Sequence, residues 1–179
     1  MKRGLMLFAA VAFAVSTFAD DNDPDTSALG VLLQSDVLVH TGMIGIADHE
    51  AVDNFVSLEA RSYRDWQRLR PWGGVTLVDS GAWFAGAGVI YDVRLSPRAR
   101  LTLGSGPFYY THEEEDDDLG FRLEFYSFAE VTWEWKHDVR LGFRVGHLSN
   151  AGLGRRNPGT ETLSFVVTVP LGDVLAGAR

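Results

Sequence analysis

From Phe121 to Trp135 the apolar residues Phe121, Leu123, Phe125, Val131, Trp133 and Trp135 fall on odd positions, with small Ser127 and Ala129 between them. Even positions hold Arg122, Glu124, Glu130, Thr132 and Glu134. A period of two separates the faces of a strand. The next segment repeats it, with Val139, Leu141, Phe143 and Val145 opposite Arg140, Gly142, Arg144 and Gly146. In the last segment Leu163, Phe165, Val167 and Val169 alternate with Thr162, Ser164, Val166 and Thr168. Segments of about ten residues have the length of tilted membrane-crossing strands. The pattern predicts strands over 30–40, 51–63, 72–79, 82–95, 98–111, 120–135, 138–149 and 160–170, and no segment carries a helical stripe.

Alternation alone also suits a soluble β-sandwich with its charged face in water. Two features favour the inverse arrangement, an all-β, eight-stranded antiparallel up-and-down transmembrane β-barrel. First, the polar face carries both signs of charge, in Arg122, Glu124, Glu130, Glu134, Arg140 and Arg144, together with Glu59, Arg61, Asp92 and Arg94. Such a mixture suits a lumen lined with paired charges. Second, Trp66, Trp72, Trp83, Tyr109, Trp133 and Trp135 cluster near strand ends, where aromatic girdles sit. With both termini periplasmic, the connections at Arg64-to-Pro71, Ser96-Pro97 and Lys136-His137 face inward to the cell. Those at Thr41-to-Glu50, Asp79-to-Gly81, His112-to-Leu119 and Asn150-to-Thr160 face outside.

The chain begins MKRGLMLFAAVAFAVSTFAD, a basic start followed by an apolar run and small residues before Asp20, which reads as a secretory signal peptide over 1–19. A polar, mobile stretch over 20–28, a barrel over 29–171 and a tail over 172–179 complete the expected organisation. No later stretch reaches the ~20 apolar residues of a transmembrane helix. The chain has no cysteine, so an exported protein of this size draws its stability from something other than disulfides. A net charge of −8, more negative still without Lys2 and Arg3, argues against a nucleic-acid partner. The acidic run Glu113-Glu114-Glu115-Asp116-Asp117-Asp118 lacks the spaced ligands and turn glycine of a calcium loop and reads as a solvated external loop. His40, His49, His112 and His137 show no metal-ligand spacing. Gly86 and Gly88 read as small inward residues where the barrel packs tightly.

His147 and Ser149, two apart on a strand, share the face of Phe143 and Val145 and stand roughly 6.6 Å apart along it. Glu161 continues the face of Leu163 and Phe165 on the next strand. A hairpin centred on Gly154 places it opposite His147, with Cβ atoms about 5 Å apart. A serine hydroxyl becomes a good nucleophile when an imidazole takes its proton, and a carboxylate fixes the imidazole's tautomer and steadies its charge. Ser149 is thus a candidate nucleophile, His147 a general base and acid, and Glu161 the orienting carboxylate. Asn150 and the backbone of Ala151-Gly152 are the candidate oxyanion donors. The alternative is an interfacial histidine beside a turn-forming Ser-Asn-Ala-Gly, with Glu161 a solvated loop carboxylate.

The run His147-Leu148-Ser149-Asn150-Ala151-Gly152-Leu153, then Asn157-Pro158-Gly159, Glu161 and the closing Val169-Pro170-Leu171, resembles the signature of the lipid A 3-O-deacylase family. The resemblance implies an eight-stranded outer-membrane barrel that hydrolyses the ester-linked 3-O acyl chain of lipid A without a metal or other cofactor. It also implies His147, Ser149 and Glu161 as a Ser-His-Glu triad with Asn150 near the oxyanion. Arg155 and Arg156, in the same turn, are candidates for contact with lipid A phosphates. The expected partners are lipopolysaccharide and the outer membrane, with a homodimer left open and no nucleic acid. Two other functions stay open: a non-catalytic structural or lipopolysaccharide-binding barrel, and a phospholipid esterase of the same fold.

Overall fold

The computed structural model describes residues 35–46, 52–112, 118–136 and 138–171. The expected signal peptide, the stretch over 20–28, the tail over 172–179, His49, His137 and the acidic run as far as Asp117 lie outside the described residues. Eight strands follow one another: β1 (Ser35–Ile44), β2 (Asp53–Ser62), β3 (Leu69–Val78), β4 (Trp83–Arg94), β5 (Ala99–Thr111), β6 (Leu123–Glu134), β7 (Arg140–Ser149) and β8 (Thr160–Pro170). Each pairs antiparallel with the next, and β1 pairs with β8, so the sheet closes and leaves no edge.

Three strands depart from the sequence expectation, the sixth by beginning at Leu123 rather than at Gly120. The first runs on to Ile44, through Gly42, which lies so close to the β8 backbone that a Cβ there would strike Leu163 and Ser164. The third begins at Leu69 rather than at Trp72. Pro71 is tolerated there because it lies beyond the last β2–β3 pair, Arg61↔Trp72, at the start of the strand.

Side-chain parity sets the two faces. Val39, Val56, Leu103, Val131, Phe143, Val145, Leu163 and Phe165 point outward and stay exposed. In water so large an apolar surface would be a liability; facing lipid, it is the belt of a membrane barrel. The opposite parity fills the lumen. Trp72 packs against Phe108 and Phe128 at 5.2 and 5.0 Å between ring centroids. Inward glycines such as Gly86 and Gly104 make room for Phe108 and Phe128. Trp72 therefore belongs to the core rather than to a girdle, its position on β3 being inward, while Trp66, Trp133, Trp135 and Tyr109 are exposed as expected.

Below the aromatic plug lies a buried ion network. Arg144 makes bonds of 2.6 and 2.8 Å to Glu59 and of 2.7 Å to Glu130. Arg61 grips the other side of Glu130 at 2.9 and 2.7 Å. Nearer the end of the lumen where β1 begins, Arg70 and Arg140 share Asp36, and Arg70 also reaches Asp92. Arg122 and Arg94 do not join these networks as their parity suggested. Each sits where the chain leaves the wall, Arg122 donating to the Tyr109 hydroxyl and Arg94 to the Pro97 carbonyl.

Candidate active site

The outward columns of β7 and β8 carry the candidate residues. Antiparallel pairing sets His147 directly opposite Glu161, and Ser149 ends β7 two positions further out on the same face. The His147 Nδ1 lies 3.1 Å from Glu161 Oε1. Both side chains are about half exposed, at 48% and 42%, so the pair faces the lipid side of the wall and not the lumen. An Nδ1–H donated to the carboxylate leaves Nε2 with a free lone pair, the form a general base requires. Ser149 is half-buried, and among the described residues its hydroxyl has no hydrogen-bond partner. The fold therefore joins His147 to Glu161 and sets Ser149 beside them on one face without a Ser149–His147 bond.

Beyond Ser149 the chain reverses at once. The Leu153 N–H donates to the Asn150 carbonyl at 3.0 Å, and the two residues between, Ala151 and Gly152, have φ of 54° and 81°. Two positive φ values in a four-residue turn are the mark of type I′, whose twist matches that of the flanking strands. Gly159, with φ of 69°, brings the chain back to β8. A Cβ at this position would lie 2.9 Å from His147 Cε1 and 3.3 Å from Nε2, so glycine keeps the basic edge of the imidazole clear.

Asn150 is fully buried. Its Nδ2 donates to the carbonyls of Leu119 and Arg156 at 3.1 and 2.7 Å, and its Oδ1 accepts the N–H of Gly152 at 2.9 Å. Its own N–H donates to Asn157 Oδ1 at 2.9 Å. Both side-chain hydrogens are thus used, one within the turn and one across to Leu119, and the Gly152 N–H is taken as well. The Ala151 N–H makes no such bond among the described residues. Arg156 pairs with Asp118 at 2.7 Å, and both Arg155 and Arg156 are exposed.

A family model described as lipid A 3-O-deacylase (PagL) matches residues 57–170. The chain belongs to the lipid A 3-O-deacylase family. The match runs from within β2 to the end of β8 and takes in His147, Ser149 and Glu161. Among solved structures, the outer membrane enzyme PagL superposes with a TM-score of 0.58 at 21% identity, covering 75% of this chain and 99% of its own. Neisserial surface protein A (NspA) superposes with a TM-score of 0.55 at 14% identity, covering 76% of this chain and 95% of its own. At such identities these likenesses speak for the fold alone, that of an outer-membrane barrel. No curated protein matches the chain.

Other residues of this family member were not apparent from sequence. Asp118, Leu119 and Gly120 reach the site from the β5–β6 connection, and only folding brings them there. Ser127 lies opposite His147 and Ser105 opposite Ser127, their hydroxyls 2.9 Å apart, so each gives the other a partner on a lipid-facing wall. His112 approaches Asp118 at 3.6 Å, and His40 belongs to the lumen network through Glu59.

Proposed function

We propose that the chain hydrolyses the 3-O-linked acyl ester of lipid A, as a carboxylic ester hydrolase with a Ser-His-Glu triad. Ser149 Oγ attacks the acyl carbonyl while His147 Nε2 takes its proton, and Glu161 holds the imidazole by Nδ1 and steadies its charged form. The tetrahedral oxyanion needs donors aimed at it in advance. The open Ala151 N–H is the candidate, with Asn150 and Gly152 fixing the turn that presents it. His147 then gives the proton to the departing sugar oxygen. Water, activated by the same imidazole, releases the fatty acid from the acyl-serine. Arg155 stands where a lipid A phosphate would be met by charge.

The observation that carries this reading is the His147–Glu161 pair at 3.1 Å, on the outward face two residues from Ser149. In water such a pair would be an ordinary surface contact; on a lipid-facing wall it supports the reading of a general base that meets a lipid substrate. All three residues come from one chain, so the chemistry calls for no second copy. A second reading is a barrel that binds lipopolysaccharide without cleaving it. Its support is the missing Ser149–His147 bond, although catalytic hydrogen bonds often tighten only when substrate is present.

Mass spectrometry of lipid A incubated with refolded protein separates the two. The wild type is expected to remove one hydroxyacyl mass, and Ser149→Ala and His147→Ala to remove none. An unchanged lipid A spectrum from a folded wild-type barrel would overturn the hydrolase reading. Release of fatty acid from phospholipid vesicles alone would reassign the substrate.

A further inference from the structure

The turn that follows the proposed nucleophile is held from outside its own hairpin. Pairing of β7 with β6 ends at Phe125↔Ser149, and pairing with β8 at Leu148↔Thr160, so the stretch from Asn150 to Gly159 lies off the sheet. The Leu153–Asn150 bond shapes the turn but does not aim it relative to Ser149. The aiming contacts come from the connection between β5 and β6. Leu119 O accepts from the buried Asn150 Nδ2 across 31 positions of sequence. Asp118 Oδ1 caps the Gly120 N–H at 2.8 Å while Oδ2 holds Arg156 at 2.7 Å. The two loops are closely packed as well as bonded: a Cβ at Gly120 would meet the Arg156 carbonyl, and one at Gly154 would meet the Gly120 carbonyl.

We infer that Asp118, Leu119 and Gly120, in the described end of the β5–β6 connection, form a strut for the turn that follows Ser149. Asp118 is its positioning residue, acting on Ser149 and the Ala151 N–H through Arg156 and through the Leu119–Asn150 bond. The inference rests on Ser149 being the nucleophile and adds a residue to that reaction which never touches substrate. It also divides the work of the two adjacent arginines. Arg156 is engaged by Asp118 as part of the strut, and Arg155 is left facing outward for an anionic substrate group.

Three readouts on detergent-refolded full-length protein test this: labelling of Ser149 by a small neutral fluorophosphonate, kcat and KM on lipid A, and amide hydrogen exchange of residues 150–157. Asp118→Ala and Arg156→Gln are each expected to slow labelling and lower kcat by roughly tenfold, since small misplacements of a reacting group are costly, while KM stays near the wild-type value. Exchange over 150–157 should quicken in both. The charge swap Asp118→Arg with Arg156→Asp should recover most of the loss, the non-additivity expected of a directly coupled pair. Wild-type labelling, kcat and exchange in Asp118→Ala would overturn the strut. So would an Arg156→Gln effect confined to a raised KM, which would make Arg156 a phosphate ligand. If wild-type Ser149 resists labelling, the nucleophile assignment fails on its own account. Exchange still decides the strut in that case, faster in Asp118→Ala supporting it and unchanged overturning it.

Discussion

Glu161→Gln keeps an acceptor beside His147 Nδ1 but removes the charge that steadies an imidazolium, so its effect belongs to the chemical step. We expect kcat to fall on the order of 10⁴-fold with KM little changed, measured on lipid A in micelles. Gly159→Ala tests the other edge of the ring. Alanine at φ of 69° costs about 1 kcal/mol of backbone strain, and its Cβ would press on His147 Cε1. The expected outcome is a folded barrel with kcat lowered roughly tenfold, and a variant with full activity would show that the imidazole edge needs no clearance. At this scale His147, Ser149 and Glu161 were legible because strand parity and one hairpin register suffice to bring them together. The surroundings of Asn150 were not. Its type suggests an amide offered to substrate, but its hydrogens go to Leu119 and Arg156, and the Leu119 contact exists only once two distant loops meet.

Among the elements, β6, β7 and β8 could be read almost to their ends, because an unbroken alternation of large apolar and polar residues leaves one register for a wall between lipid and lumen. The ends of β1 and β3 were harder to read. Gly42 and Pro71 resemble breaks in sequence, and it takes the neighbouring strand to show that one permits close approach and the other lies past the last pair. The same logic predicts the cost of a charge on the outer wall. Phe143, which packs edge-on against Phe165 at 5.5 Å, becomes strongly unfavourable as Phe143→Arg, by roughly 2–4 kcal/mol if it lies near the bilayer midplane. Urea titration in vesicles would measure the loss, and an unchanged midpoint would place Phe143 outside the hydrocarbon. At the outer rim, Asp118 has its carboxyl held below the usual range by the Gly120 N–H first, then by the Arg156 and His112 charges. A depressed carboxyl contributes above its unfolded value near 4 and loses that contribution as pH falls through the lower folded value. Exchange over 150–157, corrected for intrinsic rates, is therefore expected to rise as pH falls below about 4.

For the molecule as a whole, stability turns on a lumen in which buried opposite charges face one another. Arg144→Met would leave Glu59 with His40 and Glu130 with Arg61 as partners and take one charge out of the buried network, and breaking one partner of such a network costs about 3–5 kcal/mol. The check is again the urea midpoint, where a loss under 1 kcal/mol would mean that the network is hydrated. The mixed charges of the inward face announced such a lumen in the sequence. Which residues pair did not show there, because Arg61 meets Glu130 across 69 positions. The location of His147, Ser149 and Glu161 on the outer wall has a kinetic consequence. A substrate reaches that wall by sliding within its own leaflet, so the quantity that governs encounter is the number of lipid A molecules per unit of membrane area. Diluting lipid A with inert detergent at constant bulk concentration should slow the reaction in proportion to its surface fraction, as for an interfacial catalyst working in two dimensions.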